Sequence, residues 1–448
     1  MTSMSKLSMK TKLGFGVGDL GGNLFFTFIG FYLLYFLTDV LGLSAALAGT
    51  TLMIGKIWDA VTDPVTGYAS DRTISPWGRR RPYMVVGSIL SLISMYLLFS
   101  MDGESSQTKL FVLATLYFCL LSTAYTLVNI PYTALLPELS RSYDDRTLLT
   151  AYRMSFAVLG TFVGAGAVMP LLGLFPDPQK GWSIIASALG AVMMATALIT
   201  VWTIREPVHK KEDVQGKGFI KTYVEALGMK VFLQALIPWT LFIAGTSMIQ
   251  GALVYYFKYI FNNEALFQLA LIGLLSTSLI FIPLWVKLSH RLGKKNCYNI
   301  GMLIVTAGVL LFSYSGGNWS ALTAILIITA TGIGLSTHYV MPHSILPDVV
   351  EYDSVHSGGL RREGVFSSLW TFGSKIGQAM ALALNGWLLS IFDYVPDAVQ
   401  SSRSILGIKL ICGPFPALFY IAGILILMNF PINREYYENM LNPEPEGA

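Results

Sequence analysis

Lys56-Ile-Trp-Asp-Ala-Val-Thr-Asp-Pro-Val-Thr-Gly-Tyr-Ala-Ser-Asp-Arg72 places two carboxylates, Asp59 and Asp63, four residues apart inside an otherwise apolar run. Four residues make roughly one helical turn, so both carboxylates project from the same face. Asp71-Arg72 and then Gly78-Arg-Arg-Arg81 follow, where such a helix would leave the lipid. Acids inside a membrane are costly and face a bundle interior or an aqueous cavity. The rest of the chain must supply that interior.

Composition agrees. The 448 residues are 54% hydrophobic and 12% charged, with mean hydropathy +0.59. A soluble globular chain carries about 25% charged residues, so the sequence reads as a polytopic, all-α membrane protein. Cys119, Cys297 and Cys412 lie in apolar segments without metal-ligand spacing and read as small buried hydrophobes. No cleavable leader is expected, because Lys6, Lys10 and Lys12 lead into a segment too long for one. Gly14-Phe-Gly-Val-Gly18 has no preceding strand and is not a dinucleotide loop. With a net charge of only +4, no nucleic-acid partner is expected. No nucleophile–base–orienter set is visible, so the chain does not read as an enzyme.

Apolar runs of about 20 residues fall near 13–38, 45–70, 83–101, 109–136, 147–172 and 180–204, then near 231–260, 266–289, 297–315, 319–342, 365–392 and 404–430. This predicts twelve transmembrane helices in two groups of six. The expected division is an N-terminal bundle over 1–204, a cytoplasmic linker over 205–228, a C-terminal bundle over 229–430 and a cytoplasmic tail over 431–448. Odd-to-even loops hold little more than Lys109, Lys180 and Arg403. The alternate loops hold Arg72, Arg79 to Arg81, Arg141, Arg146, the basic linker, Arg291, Lys294, Lys295, Arg361 and Arg362. The positive-inside rule therefore puts both termini and the linker in the cytoplasm, with the protein in the plasma (inner) membrane. His290-Arg-Leu-Gly-Lys-Lys295 after the eighth run repeats the arginine-then-Gly-basic-basic order of Arg72 and Gly78-Arg-Arg, as an internally duplicated transporter would.

These residues resemble a known family. Gly67-x-x-x-Asp71-Arg72 with Gly78-Arg-Arg is similar to the loop motif of the major facilitator superfamily, interrupted by Thr73 to Trp77. Gly18-Asp19, Trp58-Asp-Ala-Val-Thr-Asp-Pro64, Asn129-Ile-Pro-Tyr132, Ala151-Tyr-Arg153, Asp348-Val-Val-Glu-Tyr352 and Arg362-Glu-Gly364 together resemble the glycoside–pentoside–hexuronide:cation symporters, the group of the melibiose permease. Thr150-Ala-Tyr-Arg-Met154 and Phe430-Pro-Ile432 are similar to the sodium-dependent lysophospholipid transporters, distant relatives of that group. The resemblance implies a major facilitator fold of two pseudo-symmetric six-helix bundles.

Two like charges on one turn cannot both stay ionised in a low-dielectric site; a bound cation or a proton must relieve them. Alkali ions are hard and take oxygen ligands. Thr62 beside the pair, Thr126 across from it and the carbonyl near Ala60 freed by Pro64 are candidate donors. The resemblance implies the same cation site, Asp59, Thr62, Asp63 and Thr126, with Na⁺ or H⁺ as coupling ion and no other cofactor. Thr62 stands where the melibiose permease pattern has asparagine. Lys375, mid-span in the eleventh run, needs a counter-charge; Asp59 or Asp63 is the expected one, which would make Lys375 the coupling residue. Asp19 and Arg153 match the family's sugar-binding pair. Asn129 and Thr133 stand where galactoside-type carriers have an aspartate and a stacking tryptophan, and Tyr125, Tyr132, Tyr339 and Trp370 are alternative rings. Asp71, Arg72, Arg79, Arg80, Arg141, Asp348, Glu351 and Arg362 are the expected cytoplasmic gate. Leu346 to Glu363 reads as a charged loop, and His338 and His343 as packing residues. The reading is a monomeric symporter in the lipid bilayer, importing a small polar solute such as a sugar or glycoside. The alternative cargo is an amphipathic lipid such as a lysophospholipid.

Overall fold

A computed structural model describes residues 8–139, 143–204, 219–263, 265–316, 318–357 and 362–441. The described residues are helical, with no strand. The long helices are α1 (Met9–Val40), α2 (Ala45–Arg72), α3 (Arg81–Phe99), α4 (Gln107–Leu139), α5 (Tyr143–Gly166) and α6 (Pro178–Thr203). They continue as α7 (Lys230–Tyr259), α8 (Ala265–Leu292), α9 (Lys294–Ser315), α10 (Ala321–His356), α11 (Glu363–Ile391) and α12 (Ser402–Leu427). Among the described residues ten of these are long and apolar enough to cross a membrane. The other two, α2 and α11, span 28 and 29 residues but carry Lys56, Asp59 and Asp63, and Lys375. The two helices that fall short of apolarity carry the acidic pair and Lys375. Large apolar side chains along the spans stay exposed, Ile280 at 71% and Leu322 at 66% among them, as helices bathed in lipid must leave them.

The chain divides into two compact units. The first comprises Met1–Glu212 together with Leu382–Val399, and the second comprises Asp213–Ala381 with Gln400–Ala448. Most of the expected linker, residues 205–218, lies outside the described residues; a short helix, Phe219–Gly228, follows it.

In the first unit α1 packs on α5 and α6. Its face of Gly14, Gly18 and Gly21 receives Thr203, Tyr132 with Thr200, and Thr196 with Met193. The end of α1 relaxes into one π-helical turn, Phe36–Val40, which buries Thr38 and Asp39. The last part of α11 groups with this unit. A Cβ added at Gly49 of α2 would come within 2.8 Å of the Gly386 Cα, so the two backbones touch where a side chain would separate them. Trp387 Nε1 donates to Thr50 Oγ1 at 3.1 Å, and the Tyr394 hydroxyl donates to Asp39 Oδ2 at 2.7 Å.

In the second unit α10 is broken at Tyr339–Val340 into Ala321–His338 and Met341–His356. The segment from Leu346 to Asp353, which the sequence presents as loop, is helical instead. Pro342 takes the helix start, where its missing N–H costs nothing. The acids on this turn are partnered, Asp348 by Lys294 and Asp353 by Arg362, so charge does not force the chain out of the helix.

Candidate functional site

α2 and α4 approach closely because Gly55, one turn before Asp59, leaves room for the Phe118 ring where a Cβ would stand. That approach brings Thr126 of α4 onto the acidic turn of α2. Its Oγ1 lies 3.0 Å from Asp59 Oδ1 and 2.9 Å from Asp63 Oδ1. Thr62 Oγ1 is 3.4 Å from Thr126 Oγ1 and donates to the Asp59 carbonyl at 3.2 Å. All four sequence-predicted cation residues therefore converge. A hydroxyl has one proton to give, yet Thr126 stands at hydrogen-bond distance from two carboxylates. The two carboxylates thus share one donor. Asp59 is 3% exposed and Asp63 half-buried. Two carboxylates with two hydroxyls form a hard-oxygen set suited to an alkali ion rather than to a soft metal.

Sequence reading gave no role to Lys56, three residues before Asp59. It is 5% exposed, with its Nζ 4.9 Å from the Phe26 ring centroid and 6.0 Å from that of Phe25. Those rings form a cation–π wall for a buried ammonium. The i, i+3 spacing to Asp59 was the available signal, since residues so spaced share a helix face.

Asp19 and Arg153 meet as expected. Arg153 Nε donates to Asp19 Oδ2 at 3.0 Å and Nη2 to Oδ1 at 3.3 Å, a bidentate pair between α1 and α5. The guanidinium lies 5.1 Å from the Tyr132 ring, and the Tyr132 hydroxyl donates to the Phe15 carbonyl at 2.8 Å. Tyr125 of α4 stacks its ring on Phe25 of α1 at 4.4 Å. Asn129, one turn further on, is half-buried. Thr133, also half-buried, donates its hydroxyl to the Ile130 carbonyl at 3.0 Å.

In the second unit Trp370 is 4% exposed, and one face of its ring is taken by Trp239 at 5.3 Å. The column continues through His338, 4.6 Å from Trp239, to Phe242, 4.1 Å from His338. His343 meets Trp239 edge-on at 5.2 Å, and the Tyr298 hydroxyl lies 3.2 Å from His338 Nδ1. Both histidines are therefore packed as their sequence context indicated. Tyr339, at the break in α10, stays 49% exposed. Lys375 is half-buried on α11, whose Gly373 and Gly377 lie against Leu236 and Thr240 of α7.

Of the expected gate residues, Asp71, Arg72, Arg80, Asp348 and Arg362 each have a contact within their own unit. Arg80 pairs with Asp71 at 3.3 Å and also donates to the Ala134 carbonyl, while Arg72 lies over the Tyr68 ring at 3.8 Å. Arg79 belongs to the same basic turn. Lys294 pairs with Asp348 at 2.6 Å, and Arg362 bridges Asp353 and Glu225. Glu351 lies on the same helical turn as Asp348. Arg141 lies outside the described residues.

Membrane-length helices in two compact units, with buried charges gathered on a few of them, define a membrane transporter rather than an enzyme. A profile of the MFS/sugar transport protein family matches residues 14–434, and the chain belongs to that family. It is 27% identical to the glucuronide carrier protein homolog of Escherichia coli, over 97% of this chain and 95% of the relative. It is 26% identical to the sodium-dependent lysophosphatidylcholine symporter 1-A of Danio rerio, over 96% of this chain and 87% of the relative. The fold is that of the D-xylose-proton symporter crystal structure, with a TM-score of 0.68 and 15% identity over 93% of this chain and 97% of that one. The resemblance read from the motifs is thereby met at the level of the family.

Proposed function

We propose that the protein is a cation-coupled symporter that imports a small polar solute, a sugar or glycoside, by alternating access. One observation carries this reading: a single threonine hydroxyl serves two carboxylates on adjacent turns of a membrane helix. Asp59, Thr62, Asp63 and Thr126 hold Na⁺ or H⁺. Asp19 and Arg153 offer acceptors and donors to sugar hydroxyls, with Tyr125, Asn129 and Thr133 along α4. Tyr339 and the Trp370 indole N–H, which is buried without a hydrogen-bond partner among the described residues, are further candidate solute contacts. Lys375 responds to cation occupancy, and the Asp71–Arg80, Lys294–Asp348 and Arg362 contacts are remade as the cytoplasmic side opens. The protein works as a monomer in the cytoplasmic membrane with both termini inside.

Solute and cation must raise each other's affinity by the same factor. The test is solute binding across a Na⁺ titration, over glycosides, uronates and lysolipids, in wild type and Asp63→Asn. Na⁺ stimulation is expected in the wild type and lost in the variant. Persistent stimulation in the variant would place the cation elsewhere. A second reading, Na⁺-dependent transport of a lysophospholipid, is favoured by the similarity to the Danio rerio symporter; uptake of lysolipid but not of glycoside would select it.

A further inference from the structure

The hairpin between α3 and α4 forms a cavity of about 250 Å³ that none of the candidate cation or solute residues lines. Along its α4 side Lys109, Leu113 and Tyr117 recur every four residues and so share one helix face. That face carries a charge at the start of the helix and apolar surface two turns further into the span. The α3 side repeats the gradient: Tyr96 and Leu97 stand in the last helical turn, and Ser100 and Asp102 follow it. The hairpin is held open by fixed backbone. Gln107 braces it on one flank, donating to the Gly42 carbonyl at 2.7 Å and accepting from the Ser44 N–H at 2.8 Å. On the other, Gln179 of α6 donates to the Met101 carbonyl at 2.6 Å, and the Ser100 and Ser183 hydroxyls meet. Ile93, Tyr96, Val112 and Leu116 are exposed on the two helices beside it, the apolar surface a span turns to lipid. Lys109 and Asp102 both line the cavity, and neither is in an ion pair among the described residues. Lys180, one residue beyond Gln179, is paired with Asp177 at 3.4 Å, which leaves Lys109 as the cation of this pocket.

We propose that this cavity is a headgroup site for a zwitterionic phospholipid bearing a primary ammonium, a phosphatidylethanolamine of the surrounding leaflet. On the orientation proposed above that is the outer leaflet. Lys109 takes the phosphate, with the Ser100 and Ser105 hydroxyls as further donors, and Asp102 takes the ammonium. The volume falls below the about 300–1,000 Å³ of pockets that enclose a drug-sized ligand whole. The headgroup therefore enters while the acyl chains stay outside, along the exposed apolar residues of α3 and α4. Tyr96 and Tyr117 stand between the two zones, at the level where an aromatic ring with a polar tip suits the membrane interface. A trimethylammonium headgroup has no N–H to give Asp102, and a glycerol headgroup has no positive charge for it. The pocket thus separates phosphatidylethanolamine from phosphatidylcholine and phosphatidylglycerol through one carboxylate, and holds their common phosphate through one lysine.

The test titrates the full-length protein in detergent micelles with palmitoyl-oleoyl phosphatidylethanolamine, phosphatidylcholine and phosphatidylglycerol, and counts bound lipid by native mass spectrometry. Phosphatidylethanolamine is expected to bind at least about tenfold tighter than the other two, since a site built to hydrogen-bond an N–H rejects the analogue lacking it. Asp102→Asn should bring phosphatidylethanolamine down to the level of phosphatidylcholine. Lys109→Gln should weaken both by a similar factor, because both carry the phosphate. The two side chains are exposed, so neither change disturbs packing. Leu113→Trp fills the cavity with the charges left in place and should abolish the preference as well. Glycerophosphoethanolamine, the same headgroup without chains, should not displace the lipid at equal concentration. Equal binding of the three lipids by the wild type would overturn the proposal, as would a preference that survives Asp102→Asn or Leu113→Trp, or phosphatidylethanolamine binding indifferent to Lys109→Gln. Displacement by glycerophosphoethanolamine would reassign the cavity to a soluble phosphate ester and overturn the lipid. Binding is read without uptake, so none of these outcomes depends on which solute is carried.

Discussion

In the proposed cation site, Thr126 is the residue that reaches both acids. Its hydroxyl has one proton to share between Asp59 Oδ1 at 3.0 Å and Asp63 Oδ1 at 2.9 Å. Thr126→Val keeps the shape and removes the oxygen. A hydrogen bond or ligand to a charged group contributes about 1.5–3 kcal/mol, so Na⁺ half-saturation of uptake should rise at least about tenfold. Thr126→Ser restores the hydroxyl and should sit close to wild type. Equal Na⁺ dependence in all three proteins would remove Thr126 from the site. Lys56 lies one turn before Asp59 on the same helix. Walled by Phe25 and Phe26, it keeps a positive charge near the two acids that no ion exchange can wash out.

At the scale of the element, α2 does two jobs some distance apart. Gly49 meets Gly386 of α11, and Asp59 lies ten residues further along, ~15 Å at the helical rise. Gly49→Val inserts a side chain between touching backbones, an overpacking that costs about 1–3 kcal/mol. We expect a lower maximal uptake rate with unchanged Na⁺ half-saturation; a shifted Na⁺ dependence would mean that the strain reaches the cation turn. The acids of α2 were legible because a carboxylate pair at helical spacing in an apolar run has few innocent readings. The Asp19–Arg153 pair was legible from the resemblance and not from spacing, since 134 residues separate its members. The helix over Leu346 to Asp353 was not legible. One proline and three acids look like a loop until Lys294, remote in sequence, pairs with Asp348 and Arg362 pairs with Asp353. Trp370 looked like an open ring for a solute to stack on; its place in a column with Trp239, His338 and Phe242 depends on α7 and α10, whose packing no local pattern reports.

For the whole molecule, composition was the most direct guide: apolar length and sparse charge announce a membrane protein, and the family match over residues 14–434 agrees. The division into units was legible only in part, because α11 contributes to both: Lys375 lies in one, and the turns from Leu382 group with the other. Trp387, on those turns, donates its indole N–H to Thr50 and is 39% exposed. It is thereby a built-in optical reporter, since indole emission follows the polarity and hydrogen bonding around the ring. Of the nine tryptophans only the Trp387 contribution matters here, and Trp387→Phe isolates it by difference. If α11 parts from α2 when cation and solute load together, the difference spectrum should shift toward the red as the indole gains water. An identical spectrum with and without both ligands would mean that this end of the helix stays clasped throughout. The protein can in this way be watched through its own fluorescence, with no label attached.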